Sequence, residues 1–325
     1  MKKIVTIGGG TGQFGLLSGL KRYPVELTAI VAMSDDGGST GVLRDELGVL
    51  PPGDVRQCLV ALSESDQVMR ELFSYRYGNG VLEGHSFGNL FLSTLEKMTG
   101  SFEEAVAVAG KVLAIRGQVI PVTTENVTLV CGDGCRGQSA VDGSVLRDRA
   151  GLRLDPEANA NPKAIEAIER ADLVVIGPGN LYCSVIPNFL AKGLPEAIGR
   201  SKARVVYNCN LMNKAGHTDG YTVIDHVGEI ERFVGRGRVD FVTYNNRLPS
   251  NRDILERYGE EGKSLVPVAS LDEDFGETTF RPLPADLVSG ERFVQKPGDP
   301  LRRTLIRHDA DALAALIIGH CLVDL

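Results

Sequence analysis

Apolar residues along this chain cluster in short continuous runs, and segments of helical period separate them. Such a pattern is expected of buried parallel strands joined by crossover helices. Lys2-Lys3-Ile4-Val5-Thr6-Ile7 predicts a first strand and Val25 to Met33 a second, buried one. Residues 54–64, 86–98 and 102–113 read as helices, the first with Asp54 as its expected N-cap after Pro51-Pro52-Gly53. Between about 117 and 150 the pattern changes to short strands with Gly/Asp turns, at Val119–Val122, Val127–Val130 and near Ser139-Ala140-Val141. The α/β alternation then resumes. Asn161-Pro162 opens a helix to Arg170, strands are expected at 172–176, 204–208 and 239–243, and Asp309 to Leu322 reads as a closing helix.

These elements predict an α/β fold, a doubly wound, mostly parallel Rossmann-like sheet with a small β-rich insertion at about 117–150. No repeat or clear linker divides residues 1–325, so a single nucleotide-binding domain is expected, with a less regular segment at about 270–305.

The junctions between these elements carry the candidate chemistry. The first strand runs into Gly8-Gly9-Gly10-Thr11-Gly12, and a helical pattern follows. Glycines let backbone N–H groups approach an anion, and the helix behind adds free N–H groups and the positive end of its dipole. A bare strand-to-helix turn needs fewer glycines, so a phosphate-bearing ligand is the expectation. The loop lacks the Gly-Lys-Ser/Thr ending of a Walker A motif. Gly10-Thr11-Gly12-Gln13-Phe14-Gly15 does fit G-x-G-x-x-G, with Asp35 twenty residues beyond Gly15, so a dinucleotide site and an NAD-dependent oxidoreductase stay open.

After the second strand, Ser34-Asp35-Asp36-Gly37-Gly38-Ser39-Thr40-Gly41 is dense in carboxylates, hydroxyls and glycines. Adjacent acids suit Mg²⁺ held jointly with a phosphate, or bonds to sugar hydroxyls; a solvated turn is the alternative. Asp54 either caps its helix or shares a metal with Asp35. Arg56, a cation in a first helical turn, points to an anionic partner. His85 is a proton carrier or a capping group, and Asn89 lies on the first turn of the helix after it. Gly177-Pro178-Gly179-Asn180 forms a second strand–glycine–helix junction. Asn210 and Tyr221 offer amide and aromatic groups suited to a base or sugar.

Composition narrows the classes. The formal net charge is −7 and aromatics are 6% with no Trp, so neither a phosphate-backbone footprint nor a base-stacking platform is expected, and nucleic acid is not the partner. No apolar run reaches membrane-spanning length, and the run after Ile4 is too short for a signal peptide. Six scattered cysteines in a chain of 325 residues do not read as a disulfide scaffold, which suits a reducing cytoplasm. Cys131 and Cys135 flank Gly132-Asp133-Gly134, which favours a hairpin over zinc because no second ligand pair exists. Cys183 and Cys209 lack a neighbouring base and read as inert thiols.

The glycine loop with Leu16-Leu17-Ser18-Gly19-Leu20 resembles a known family. So do Ser34 to Gly41, Leu43-Arg44, Gly48 to Arg56, Gly84 to Leu90, Gly177 to Pro187 and Asp219-Gly220-Tyr221-Thr222. These stretches resemble the gluconeogenesis factor family, a branch of the superfamily that includes 2-phospho-L-lactate transferase, and the resemblance extends to about residue 270. It implies a cytoplasmic bacterial protein whose Rossmann-like core binds a UDP-sugar and supports cell shape and wall synthesis during gluconeogenic growth. Wall-synthesis proteins are the implied partners, and the helix-rich second half leaves a homodimer open. The transferase branch moves a phospholactyl group with Mg²⁺, and its metal-binding acids correspond to Asp35 or Asp36 and to Asp54. No covalently bound cofactor is expected. Asn180, Cys183 and His217 depart from the Ser, Thr and Glu expected there, which bears on nucleotide preference.

Overall fold

The computed structural model describes residues 1–247, 252, 275–290 and 306–322. Seven parallel strands make one sheet: β1 (Lys2–Gly8), β2 (Val25–Val31), β3 (Gln118–Pro121), β6 (Leu173–Ile176), β7 (Arg204–Asn208), β8 (Phe241–Asn245) and β9 (Arg281–Ala285). Their order is β3-β2-β1-β6-β7-β8-β9. A two-stranded antiparallel ribbon, β4 (Thr128–Val130) with β5 (Arg153–Asp155), stands apart. The continuous apolar runs seen in the sequence follow from burial on both faces. All four residues of β6 are buried, as are Ile4 to Ile7 of β1.

Helices α1 (Gly10–Leu20), α2 (Gly38–Leu47), α3 (Gly53–Leu62), α4 (Gln67–Ser74), α5 (Phe87–Thr99) and α6 (Phe102–Val112) lie between β1 and β3 in sequence. α7 (Gln138–Gly143), α8 (Pro162–Glu169), α9 (Ile186–Phe189), α10 (Leu194–Arg200), α11 (Val223–Val234) and α12 (Ala310–Ile317) follow, with π-helical turns at Leu181–Val185 and Ile318–Leu322. α1 packs against α3 and α12, whereas α10 packs against α8 and α11. Strand order advances one way from β1 to β3 and the other way from β6 to β9. Right-handed crossovers therefore place the two helix sets on opposite faces, which is the doubly wound arrangement.

Several elements differ from the sequence expectation. Ser139-Ala140-Val141, expected as a strand, lies in helix α7, because Gly137 at φ +100 breaks the extended chain and the Ser139 N–H is held by the Asp36 carboxylate. The strand at 118–121 is the edge of the main sheet, not part of an insertion. Asp54 does not cap α3. Pro52 occupies that position and Asp54 sits in the first turn. β2 ends at Val31, two residues short of Met33, and β8 starts at Phe241. The closing helix is confirmed, with Asp309 as its cap. Within the less regular stretch 270–305, residues 275–290 contain β9, and the rest lies outside the described residues.

The packing of α1 on α12 rests on Gly19, where a Cβ would overlap the Ala310 carbonyl and stand 2.9 Å from Ala314 Cβ. Gly19→Ala adds about 1 kcal/mol of helix propensity. Overpacking costs about 1–3 kcal/mol, and a backbone carbonyl yields less than a side-chain tip, so destabilisation wins. Urea unfolding of Gly19→Ala is expected at a lower midpoint than wild type; an unchanged or higher midpoint would contradict this packing.

Candidate functional site

The sheet order reverses between β1 and β6, so the crevice beyond their carboxyl ends is the topological switch point where ligands bind in open α/β sheets. Both strands end in glycine loops, and the loops touch. A Cβ on Gly12 would overlap the Pro178 carbonyl, and one on Gly179 would lie 3.6 Å from the Gly9 carbonyl oxygen. Gly10 and Gly177 take φ +65 and +68, which L side chains rarely adopt. Asn188, fully buried, bridges the junction. Its Nδ2 donates to Gly8 O at 3.3 Å and to Ser184 O and Val185 O at 2.9 and 3.1 Å. From the other side, Gln13 Nε2 donates to Thr6 Oγ1 and Ile30 O, both at 3.1 Å, pinning α1 to the ends of β1 and β2.

The helices that start at this crevice have no side-chain cap, a trait they share with α7, α9 and α10. α4, α5, α6, α8, α11 and α12 each receive a side-chain cap, from Asp66, Ser86, Ser101, Asn161, Thr222 and Asp309. α1, α2 and α3 have none; their caps are Gly9, Gly37 and Pro52. Uncapped N-termini keep N–H donors and the positive dipole end for an anion.

Carboxylates crowd the same place. A Cβ on Gly9 would collide with Asp54, and a Cβ on Gly53 with Asp35 and Thr40. Asp54 Oδ1 also accepts a bond from Gln57 at 3.4 Å. Burial pushes the Asp35 carboxyl above its usual range, against the Gly37 N–H and the Thr40 hydroxyl, which favour the ionised form. Asp36 turns away and accepts from the Ser139 N–H at 2.8 Å. No group of three His, Cys, Asp or Glu among the described residues is arranged to hold a metal. Two carboxylates beside glycine loops and open helix starts are nonetheless the donor type that suits Mg²⁺, which is held by one or two acids with phosphate oxygens completing the shell.

The dinucleotide pattern fares less well. Its third glycine serves close helix–strand packing, yet Gly15 has nothing within 4 Å of a built Cβ.

The family model for 2-phospho-L-lactate transferase CofD matches residues 4–288. A relative from Thermotoga maritima assigned to the gluconeogenesis factors is 43% identical over 97% of this chain and 98% of its own. The gluconeogenesis factor of Bacillus subtilis is 36% identical, over 97% of each. The chain belongs to the gluconeogenesis factor family, within the 2-phospho-L-lactate transferase-like superfamily. The crystal structure of a Bacillus halodurans protein, 38% identical, superposes with a TM-score of 0.87 over 98% of this chain and 99% of that one.

In this gluconeogenesis factor family member the foreseen residues take distinct places. Gly9, Gly10, Gly12, Gly177, Gly179, Asp54, Asp35 and Gly37 meet at the crevice with Thr11 on the first turn of α1. Asn89 is buried in its wall, with Oδ1 accepting from Arg56 Nε at 2.8 Å and Nδ2 donating to Ser39 Oγ at 3.2 Å; Ser39 also bonds His85 Nδ1. Asn180 caps the π-helical turn through the Cys183 N–H and donates to Asp142 at 2.6 Å. Tyr221 meets Tyr182 hydroxyl to hydroxyl at 2.9 Å, with the Arg149 guanidinium 5.4 Å from its ring centre. Ser34 Oγ and Asn210 Oδ1 are buried without a hydrogen-bond partner among the described residues. Sequence reasoning missed Ser184, Asn188 and Gln13. Their polarity inside otherwise apolar helical stretches was the available signal.

His217 and His226 are buried and His308 is half-buried. Desolvation lowers His217, His226 and His308 to about 4 each. Between the unfolded value near 6.5 and about 4, the unfolded chain binds protons that the folded chain does not, so stability is present above this window and lost as pH falls through it. The urea midpoint is expected to drop between pH 7.5 and 5, and to drop less in His226→Gln, whose amide can replace the bond from the ring to Thr222 O. An equal drop in both proteins would contradict the neutral, buried state of His226.

Proposed function

We propose that this protein binds a nucleotide sugar of the UDP-N-acetylglucosamine type, with the diphosphate over Gly9–Gly12 and Gly179. The observation that carries this reading is the abutting pair of glycine loops at the β1/β6 switch point, ringed by three uncapped helix N-termini. Ser34, Gly37, Asn210 and Tyr221 supply the sugar and base contacts, and Asn89, Asn180, Gly177 and Asp36 shape the walls. The family's name supports a role in gluconeogenic growth; we infer that the protein fills it in the cytoplasm by supporting cell shape and wall synthesis through partner proteins. Binding, not turnover, is the primary activity.

Asp35 and Asp54 would hold Mg²⁺, which when bound would offset their repulsion of the diphosphate. The same two acids favour a second reading, a Mg²⁺-dependent transferase using a nucleoside diphosphate donor, in keeping with the family model.

Titration calorimetry with UDP-N-acetylglucosamine and Mg²⁺ is expected to show saturable binding. Gly12→Val, which drives two methyl groups into the Pro178 carbonyl, is expected to weaken it at least tenfold, equivalent to about 1.4 kcal/mol. Absence of heat with UDP-sugars would remove the first reading. Asp54→Asn is expected to reduce the gain in affinity from Mg²⁺. Phosphorus NMR showing release of the nucleotide that Asp54→Asn abolishes would establish the transferase instead.

A further inference from the structure

Away from the crevice, β4 continues into a tight hairpin that places Cys131 opposite Cys135. The Cys131 N–H donates to Cys135 O at 3.0 Å, Val130 bridges Arg136 in antiparallel fashion, and the Gly137 N–H donates to Leu129 O at 2.8 Å. Residues facing each other in such a pair have Cα atoms roughly 5.5 Å apart and side chains on one face, which is within the span of a disulfide. The Cys135 N–H also donates to Cys131 Sγ at 3.0 Å, so the Cys131 thiol already lies over its partner's backbone.

We propose that Cys131 and Cys135 form a reversible dithiol–disulfide couple that is oxidised by hydroperoxides. Their surroundings divide the labour. Cys135 is partly exposed, whereas Cys131 and the other four cysteines are buried. Hydrogen bonds from the Cys131 thiol and the Ser144 hydroxyl hold the Cys135 thiol below its usual range, while burial raises Cys131, Cys58, Cys183 and Cys321. Thiolate character and access select the attacking sulfur, so Cys135 attacks and Cys131 resolves.

The Cys135 thiolate attacks a peroxide oxygen and the O–O bond breaks. Cys135 becomes a sulfenic acid, and the released hydroxide takes up the thiol proton as water. Cys131 sulfur then attacks the sulfenic sulfur; the S–S bond forms, the S–O bond breaks, and the second oxygen leaves as water with the Cys131 proton. Two thiols are oxidised by two electrons and one hydrogen peroxide is reduced to two waters. A thiol reductant reverses the step by exchange. The same hairpin reaches the acid loop: a Cβ on Gly137 would collide with the Asp36 carboxylate, and the Ser139 N–H donates to it at 2.8 Å. The couple therefore sits within a few residues of a contact that holds the loop beside the crevice.

The test is peptide mapping of the reduced full-length chain after stoichiometric hydrogen peroxide, with free thiols blocked by N-ethylmaleimide under denaturing conditions. The expected result is a Cys131–Cys135 disulfide that dithiothreitol removes, with the other four cysteines alkylated. Cys131→Ser is expected to accumulate a dimedone-reactive sulfenic acid at Cys135, and Cys135→Ser to resist oxidation at Cys131. All six thiols remaining alkylated in wild type, or oxidation falling first on a buried cysteine, would overturn the proposal. The wild-type mapping stands without either variant should one fail to fold.

Discussion

The close approach of two backbones, Gly12 in the first turn of α1 and the carbonyl of Pro178 beyond β6, is the constraint on which the rest of the site depends. No side chain fits between them. Because β1 and β6 are neighbours at the point where strand order reverses, this contact joins the two halves of the doubly wound sheet. It turns two separate strand-to-helix turns into one donor-rich surface. The buried amides of Asn188 and Gln13 hold the geometry from behind. Each of their bonds contributes roughly 1 kcal/mol net, and the Gly8 carbonyl that Asn188 reaches also accepts from the Ala32 N–H at 3.0 Å.

Electrostatics then shapes what the surface accepts. Three helix starts without side-chain caps favour an anion, while Asp35 and Asp54 oppose one. The two tendencies are compatible when a cation lies between carboxylates and phosphate. The protein itself balances part of the charge through the wall of α3 and α5, where Arg56 is buried against Asn89 and the Phe73 carbonyl. Arg56 is thus a fixed cation within the scaffold and, through its field, one of the groups that favour the ionised form of Asp35.

Much of this was legible in the residues. β1, β6 and β7 were read within a residue because strands buried on both faces leave continuous apolar runs, and α8 because Asn161-Pro162 marks its start. Both glycine junctions were visible for the same local reason. What failed was long-range. Ser139 to Val141 alternates like a strand, but a carboxylate from a loop about a hundred residues earlier holds the Ser139 N–H in a helical turn. The strand at 118–121 resembles its antiparallel neighbours and differs from them only in pairing with β2. Asp54, a capping residue type, comes two positions too late, since Pro52 is the cap and Gly53 already begins the helix. The contact of Gly12 with Pro178 joins positions 166 residues apart, and no local pattern carries it.

The most direct measurement is amide hydrogen exchange of the full chain with and without UDP-N-acetylglucosamine and Mg²⁺. A shared cradle requires the N–H groups of Gly9 to Gly12 and those of Gly179 to Leu181 to slow together when ligand saturates the protein. Protection confined to one loop, or to neither, would contradict a single site built across the β1/β6 switch point.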